Sequence, residues 1–147
     1  MSNHEILFRG KDGYNGEWVE GYYYRAKWCR ADKELCDFIT MPYPNEENRP
    51  SDHFMVIQET IGQSTAMKDN NGNRIFEDDI LRFMLYGHSY TGVVTYKKGA
   101  FVVVCTQPLQ YSFCMAATVS LEEAIRYGAV VIGNVHDNTE LLEDAKT

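Results

Sequence analysis

The stretch "TGVVTYKKGAFVVVC", residues 91–105, carries two runs of β-branched and aromatic residues on either side of Lys97-Lys98-Gly99. Runs of this composition favour buried strands, and a glycine between two such runs is typical of a hairpin turn. The stretch therefore predicts a hairpin of two buried strands, and it indicates a fold that is mainly β.

The N-terminal part of the chain has the same character. Strand-like runs occur at residues 5–9, 17–24, 37–41 and 53–60, and Asn15-Gly16 supplies a tight turn between the first two. Residues 42–52, "PYPNEENRPSD", hold three prolines and no regular apolar period, which is typical of a mobile loop. We predict that residues 1–60 form an N-terminal β section with a hairpin, ending in this loop and a strand.

Residues 61–147 predict a second part that contains two short helices. Ser120 and Glu123 form a capping box before a helix near 121–127, and Asp137 and Glu140 stand in the same relation before a helix near 138–144. Short strands, glycine turns and a short helix before the last strand are typical of a small barrel. The predicted class is α+β, mainly β, with an SH3-like β-barrel in this part.

Composition bounds the possible functions. The chain has 147 residues and a formal net charge of −7, so that nucleic acid and anionic lipid would be repelled on average. Cys29, Cys36, Cys105 and Cys114 lack a tight pair and predict free thiols rather than a zinc site. The start lacks the apolar core of a signal peptide, and no apolar run reaches the roughly 20 residues of a membrane span, so we expect a cytoplasmic protein.

The segment "DNNGNRIFEDDI", residues 69–80, admits two interpretations. Asp69, Asn71 and Asn73 match the first three ligand places of a calcium loop, but Arg74 replaces the required glycine and Ile80 replaces the closing glutamate. The strand-like flanks and the dipeptide Asn71-Gly72 favour a hairpin turn. We predict a hairpin, and no metal ligand.

Catalytic candidates are weak. Glu77, Asp78 and Asp79 would point to alternate faces of a strand, so we interpret them as solvated turn acids. The four histidines, His4, His53, His88 and His136, lie beside turn signals, and Asp137 is better explained as a helix cap. An enzyme would require His136 or His88 to meet a cysteine or a carboxylate in one cleft. We predict no catalytic residue and no cofactor.

One segment, "YYYRAKWCRADK" at residues 22–33, is both basic and aromatic. Aromatic rings can stack on bases while cations pair with phosphates, although alternation along a half-buried strand gives the same pattern. The residues that would form a nucleic-acid contact in this alternative are Arg25, Lys27, Trp28 and Arg30, together with Lys97 and Lys98 at the hairpin tip.

Three blocks of the sequence resemble a known family. They are "LFRGKDGYNGEWVEGYYY" at 7–24, "ETIGQSTAMKDNNGNRIFEDDIL" at 59–81 and "VIGNVHDNTELLE" at 131–143. Together, and in this order, they resemble the YopX-like proteins of phages and prophages. The resemblance implies a β-rich protein with a barrel-like C-terminal part, and it brings no catalytic residues with it.

Two departures from the family pattern stand out. Asp78 occupies the glycine place of the usual E-G-D, and Gln63-Ser64-Thr65-Ala66-Met67 replaces Q-[FY]-T-G-[LM], which removes an aromatic residue and a glycine. Aspartate tolerates left-handed backbone better than most residues, so we expect the turn at Asp78 to survive.

The expected function is that of a phage- or prophage-encoded, cytoplasmic accessory protein. We expect it to be non-enzymatic and to act by protein–protein contact or self-association, with exposed strand edges as one route. The alternative is a nucleic-acid-binding small-barrel protein.

Overall fold

A computed structural model describes residues 5–27, 34–41, 52–107 and 117–144. The chain divides into two compact units, Met1–Ser64 and Thr65–Thr147. Both are built mainly from antiparallel strands, which confirms the α+β, mainly β class. No helix in the described ranges is long and apolar enough to cross a membrane.

The first unit is an antiparallel sheet. Its strands are β1 Phe8–Lys11, β2 Trp18–Lys27, β3 Leu35–Met41, β4 Asp52–Met55 and the start of β5 Gly62–Lys68, in the order β4-β3-β2-β1-β5. β1 and β2 form the expected hairpin, in which Lys11 faces Trp18. The predicted proline-rich loop lies mostly in residues 42–51, outside the described residues.

The residues at the end of β4 contact those at the end of β1. Asp12 forms an isolated bridge with Val56, and the Gly13 amide donates to the Met55 carbonyl at 2.9 Å. Ile39 is fully buried, and a Cβ on Gly10 would meet Val56 at 3.1 Å, so the backbones of β1 and the end of β4 lie close together. This arrangement gives a sheet of short strands its own small apolar core.

The second unit begins with the remainder of β5, which pairs with β6 Arg74–Phe76. The other strands form a five-stranded sheet in the order β10-β9-β8-β7-β11, and the elements are β7 Asp79–Leu85, β8 His88–Lys97, β9 Ala100–Cys105, β10 Thr118–Ser120, α1 Leu121–Arg126, β11 Val130–Asn134 and α2 Glu140–Asp144. Among the described residues β10 and β11 end the sheet without pairing to each other. The SH3-like closure therefore stays a prediction.

The hairpin at residues 91–105 forms as predicted. β8 and β9 pair from Gly92 opposite Cys105 to Lys97 opposite Ala100, and Lys98 and Gly99 turn the chain with φ of 50° and 84°. Its inward side chains, Val94 and Val103, are fully buried. The core around them comes from β6, β7, β8, β9, β10, α1 and Ala129, so this stretch lies at the centre of the second unit.

Helix α1 follows its sequence signals. The Ser120 hydroxyl accepts a hydrogen bond from the Glu123 amide at 3.1 Å, and Gly128 follows the last turn. Leu121 and Ala124 pack into the core. α2 begins at Glu140, and Asp137 lies three residues earlier in the turn after β11, so the capping of this helix by Asp137 stays a prediction.

Candidate functional site

The Asp69 carboxylate organises the turn between β5 and β6. Its Oδ1 accepts the amides of Asn71 at 2.9 Å and Asn73 at 2.8 Å, and its Oδ2 accepts the amide of Val131 at 2.9 Å. The Nδ2 of Asn73 lies 3.4 Å from the same Oδ2. The backbone closes with the Asp69 amide donating to the Asn73 carbonyl. This is the hairpin that the sequence predicts, with the Asp69 carboxylate oxygens engaged by N–H donors.

Asn70 fixes the same turn to the junction between α1 and β11. Its side-chain amide donates to the carbonyls of Ile125 at 3.0 Å and Ala129 at 2.9 Å. The Ile125 carbonyl lies in the last turn of α1 and also accepts the Gly128 amide, and the Ala129 carbonyl, just before β11, also accepts the Asn70 amide. Asn70 and Asp69 together tie residues that are about 60 positions apart in sequence.

The surroundings of Asp69 shift its titration. Burial alone raises the pKa of the carboxyl group, but the hydrogen bonds from Val131, Asn73 and Asn71 outweigh burial and bring the pKa below its usual value. Each of these bonds favours the ionised form because the carboxylate is the acceptor. The carboxylate is therefore held ionised by the fold.

Asp78 and His136 form a second polar contact in this unit. The Nε2 of His136 lies 3.1 Å from the Oδ2 of Asp78, and the Asp78 carbonyl accepts the Val135 amide at 2.9 Å. Asp78 has a φ of 69°, which confirms that an aspartate can occupy this left-handed turn position. The contact joins the turn between β6 and β7 to the turn after β11.

The turn after β11 is ordered by two asparagines. The Asn134 Oδ1 accepts the amides of His136 and Asp137, each at 3.0 Å, and its Nδ2 donates to the Asp137 carboxylate at 3.2 Å. The Asn138 Oδ1 in turn accepts the Asn134 amide at 3.2 Å. His136 thus meets a carboxylate, as an enzyme would require, but the contacts around it are those of a turn that is held in place.

The three neighbouring acids differ from the prediction. Asp79 has an exposed fraction of 1%, and its Oδ2 accepts the Phe76 amide at 2.8 Å, so its interpretation as a solvated acid was wrong. The reason is the sharp turn at Asp78, which starts a new strand and directs the Asp79 carboxylate back toward the preceding backbone. Glu77 and Asp78 are partly buried.

The remaining histidines and cysteines lie apart. In the first unit, Nδ1 of His53 lies 2.8 Å from the hydroxyl of Tyr24, and in the second His88 is exposed at the start of β8. Cys36 and Cys105 are free, as predicted, and burial raises the pKa of the Cys105 thiol to about 11. His4, Cys29 and Cys114 lie outside the described residues. Within those residues, no three metal-ligating side chains converge.

Residues 22–27 of the basic and aromatic segment lie in β2, and Arg25 there is engaged in an ion pair. Its Nε lies 3.2 Å from the Oδ1 of the buried Asp37, which also accepts the hydroxyl of Tyr23 at 2.5 Å. Burial, followed by the hydrogen bond and charge of Asp37, raises the pKa of Tyr23. Lys27 is exposed at the end of the strand, and Trp28 and Arg30 lie outside the described residues.

The other two candidate cations, Lys97 and Lys98, are exposed at the turn between β8 and β9 of the second unit. No comparison or contact tests whether they or Arg25 and Lys27 bind nucleic acid, so that interface stays a prediction. Arg25, however, is already paired with a buried carboxylate.

An exposed apolar pair lies at the turn between β7 and β8. Met84 and Tyr86 have exposed fractions of 60% and 79%, and they alternate with the buried Leu85. The sequence analysis did not single out this pair, because residues 80–86 have the composition of a strand. The available signal was the following glycine: Tyr86 and Gly87 both have positive φ and place the chain reversal at these two residues.

Comparisons with known proteins give the family of this chain. A family model described as "YopX protein" matches residues 7–143. Protein EF1440 from Enterococcus faecalis, whose crystal structure is known, is 28% identical and matches with a TM-score of 0.50, over 94% of this chain and 98% of that one. Among curated proteins, a search found no significant match. The chain belongs to the YopX family.

Proposed function

We propose that this protein is an accessory protein encoded by a phage or an integrated prophage, and that it acts in the cytoplasm of a bacterial host. It acts by contact with another protein or with a second copy of itself, and it catalyses no reaction. Membership of the YopX family supports the first part of this proposal. The use of the buried Asp37, Asp69 and Asp79 as internal hydrogen-bond acceptors supports the absence of catalysis.

The observation that carries the contact proposal is the exposed pair Met84 and Tyr86. Their large side chains have exposed fractions of 60% and 79% and lie two positions apart at one hairpin turn, and a partner that covers them would remove this apolar surface from water. Tyrosine and methionine are both enriched at protein interfaces. We therefore place the contact at the turn between β7 and β8.

The charge of the chain favours a basic partner. With a formal net charge of −7, the protein attracts basic surfaces at long range, and such attraction acts mainly on the association rate. A host or phage protein with a basic surface around an apolar pocket would match both features. Self-association, by contrast, must overcome repulsion between two acidic chains.

The test combines solution mass with affinity capture from a host lysate. The variant Met84→Ser with Tyr86→Asn removes the apolar pair, and asparagine tolerates the positive φ at position 86. Tyr14→Ser is the matched control, since Tyr14 is also exposed, at 84%, but lies in the first unit. We expect the double variant to lose at least about tenfold of partner recovery or dimer affinity, the effect of removing one interface hot spot.

The outcomes separate the alternatives. Recovery that the double variant leaves unchanged would refute the proposed surface, and a monomer with no reproducible partner at moderate salt would refute the contact function. Nucleic-acid binding predicts a gel shift that weakens steeply with salt and depends on Lys97 and Lys98. That result would replace the protein-contact proposal with its alternative.

A further inference from the structure

We propose that Asn71 is a site of spontaneous deamidation, which converts the protein into a second, more acidic form whose second unit is less stable. The site is the tip of the hairpin between β5 and β6, which Asp69 and Asn70 attach to the junction of α1 and β11. The proposal is independent of the contact function. It concerns a chemical change that the chain undergoes with water alone.

The reaction requires the backbone nitrogen of the residue after an asparagine to reach the Cγ of that side chain. The Gly72 nitrogen, after losing its proton, bonds to the Cγ of Asn71; the bond from Cγ to Nδ2 breaks, and ammonia leaves. Water then opens the resulting succinimide at either carbonyl, which leaves an aspartyl or an isoaspartyl residue at position 71. Glycine permits this ring closure because it has no Cβ to obstruct the approach.

The geometry at the tip leaves these groups accessible. Asn71 is exposed, and its side chain makes no hydrogen bond to the described residues, whereas its backbone amide donates to Asp69. Gly72 has a φ of 83°, and a Cβ built there would meet no atom within 4 Å. Its amide makes one hydrogen bond, to the Asp69 carbonyl at 3.1 Å, which must open before the attack.

The neighbouring asparagines are protected. The amide of Asn70 donates to two carbonyls, that of Asn73 lies near Asp69, and neither residue precedes a glycine. Asn71 is thus the reactive member of the three.

The chain supplies a matched comparison in Asn15-Gly16. There the Asn15 Oδ1 accepts the Glu17 amide at 2.9 Å, and the Gly16 amide donates to the Asp12 carbonyl at 2.8 Å. This side-chain bond has no counterpart among the described contacts of Asn71, and having to break one such bond before the attack slows the reaction at Asn15 by about fivefold. We expect Asn71 to react about fivefold faster than Asn15 in the folded protein.

The product should loosen the tip. An isoaspartyl residue inserts one extra carbon into the main chain between Asp69 and Asn73, which changes the spacing of the amides that share the Asp69 Oδ1. The new carboxylate also places a negative charge beside Asp69. Both changes weaken the contact from Asp69 to Val131.

The experiment ages the full chain at mildly alkaline pH, folded or in urea, and follows each Asn-Gly site by peptide mass spectrometry. Enzymatic methylation detects isoaspartate, and ion exchange separates the acidic form for thermal unfolding. In urea both sites should react at similar rates, whereas in the folded chain Asn71 should react faster than Asn15. The acidic form should melt at a lower temperature than the unmodified protein. Asn71→Ser should remove most of the acidic form and leave only the part that arises at the slower Asn15, whereas the control Asn15→Ser should retain it.

Two results would overturn the proposal. One is an Asn71 that stays intact in the folded chain while it reacts in urea, and the other is an Asn15 that reacts as fast as Asn71 when folded. An acidic form that melts at the same temperature as the parent would overturn the predicted loss of stability.

Discussion

Replacement of Asp69 is expected to destabilise the second unit far more than its position in a polar turn suggests. In Asp69→Ala, three backbone amides lose their shared acceptor. The amides of the exposed Asn71 and Asn73 can bind water, so each costs about 0.5–1 kcal/mol, whereas that of the half-buried Val131 costs about 1–3 kcal/mol. The sum is about 2–5 kcal/mol.

The pH dependence separates the charge of Asp69 from its shape. Because the folded pKa is below its usual value, ionised Asp69 stabilises the fold above about pH 4, the pKa range of the unfolded chain, and this contribution is lost as the pH falls through the folded pKa. Asp69→Asn retains one acceptor but directs an NH₂ group at the remaining amides. We expect the free-energy gap between the parent and Asp69→Asn to be constant near neutral pH and to shrink below about pH 4.

The assay is urea unfolding of the full chain at several pH values, with Glu122→Gln as the control. Glu122 is an exposed acid paired with Arg126 at 3.1 Å, and its loss should cost at most about 0.5 kcal/mol. A cost for Asp69→Ala no larger than that of the control would refute the assignment of Asp69 as an internal clamp. A gap that stays constant down to the most acidic pH would refute the ionised carboxylate as its source.

Four further substitutions probe the backbone and the cap of α1. Ala66 has a φ of 63°, so Ala66→Gly should raise the free energy of unfolding by about 0.5–1 kcal/mol. The control Ala100→Gly, at a position without a positive φ, should lower it. Equal effects of the two variants would contradict backbone strain at Ala66. Ser120→Ala removes the N-cap of α1 and should lower the free energy of unfolding by about 1 kcal/mol, as measured by thermal unfolding. An unchanged free energy would show that the cap contributes nothing. Gly21→Ala would drive a Cβ into the Thr40 carbonyl and should cost more than about 3 kcal/mol by urea unfolding; a stable variant would contradict the close approach of β2 and β3.

Sequence reasoning predicted the elements that local chemistry determines. The hairpin at Lys98-Gly99, the Ser120 cap and the turn at Asn71-Gly72 all follow from residues that lie within four positions of one another. Their signals are strong because glycine, serine and asparagine each satisfy a specific backbone requirement. The fold class follows from these elements together.

What the sequence could not predict are contacts between distant residues. The Asp69 carboxylate reaches the Val131 amide, and His136 reaches Asp78, across about 60 positions in each case. No periodicity or spacing signals such pairs, since they depend on where the turns meet after folding. The candidate site therefore had to come from the structure, and the burial of Asp79 could not be read from a run of acids.

The two departures from the family pattern share a backbone cause and differ in consequence. Ala66 and Asp78 stand where the pattern has glycine, and both have positive φ, of 63° and 69°. The methyl group of Ala66 cannot form a polar contact that would offset the strain, whereas the Asp78 carboxylate lies 3.1 Å from the Nε2 of His136. Asp78→Gly would relieve about 1 kcal/mol of strain but lose the contact and add glycine entropy, for a net loss of up to about 1 kcal/mol.

The two glycine variants should therefore move the free energy of unfolding in opposite directions, upward for Ala66→Gly and downward for Asp78→Gly. Thermal and urea unfolding of both variants beside His136→Ala would assign the difference, since Asp78→Gly should add little once His136 is gone. If Asp78→Gly instead stabilised the chain as much as Ala66→Gly, the contact between Asp78 and His136 would contribute nothing to the fold. The aspartate would then be a strained replacement for the glycine of the YopX family pattern.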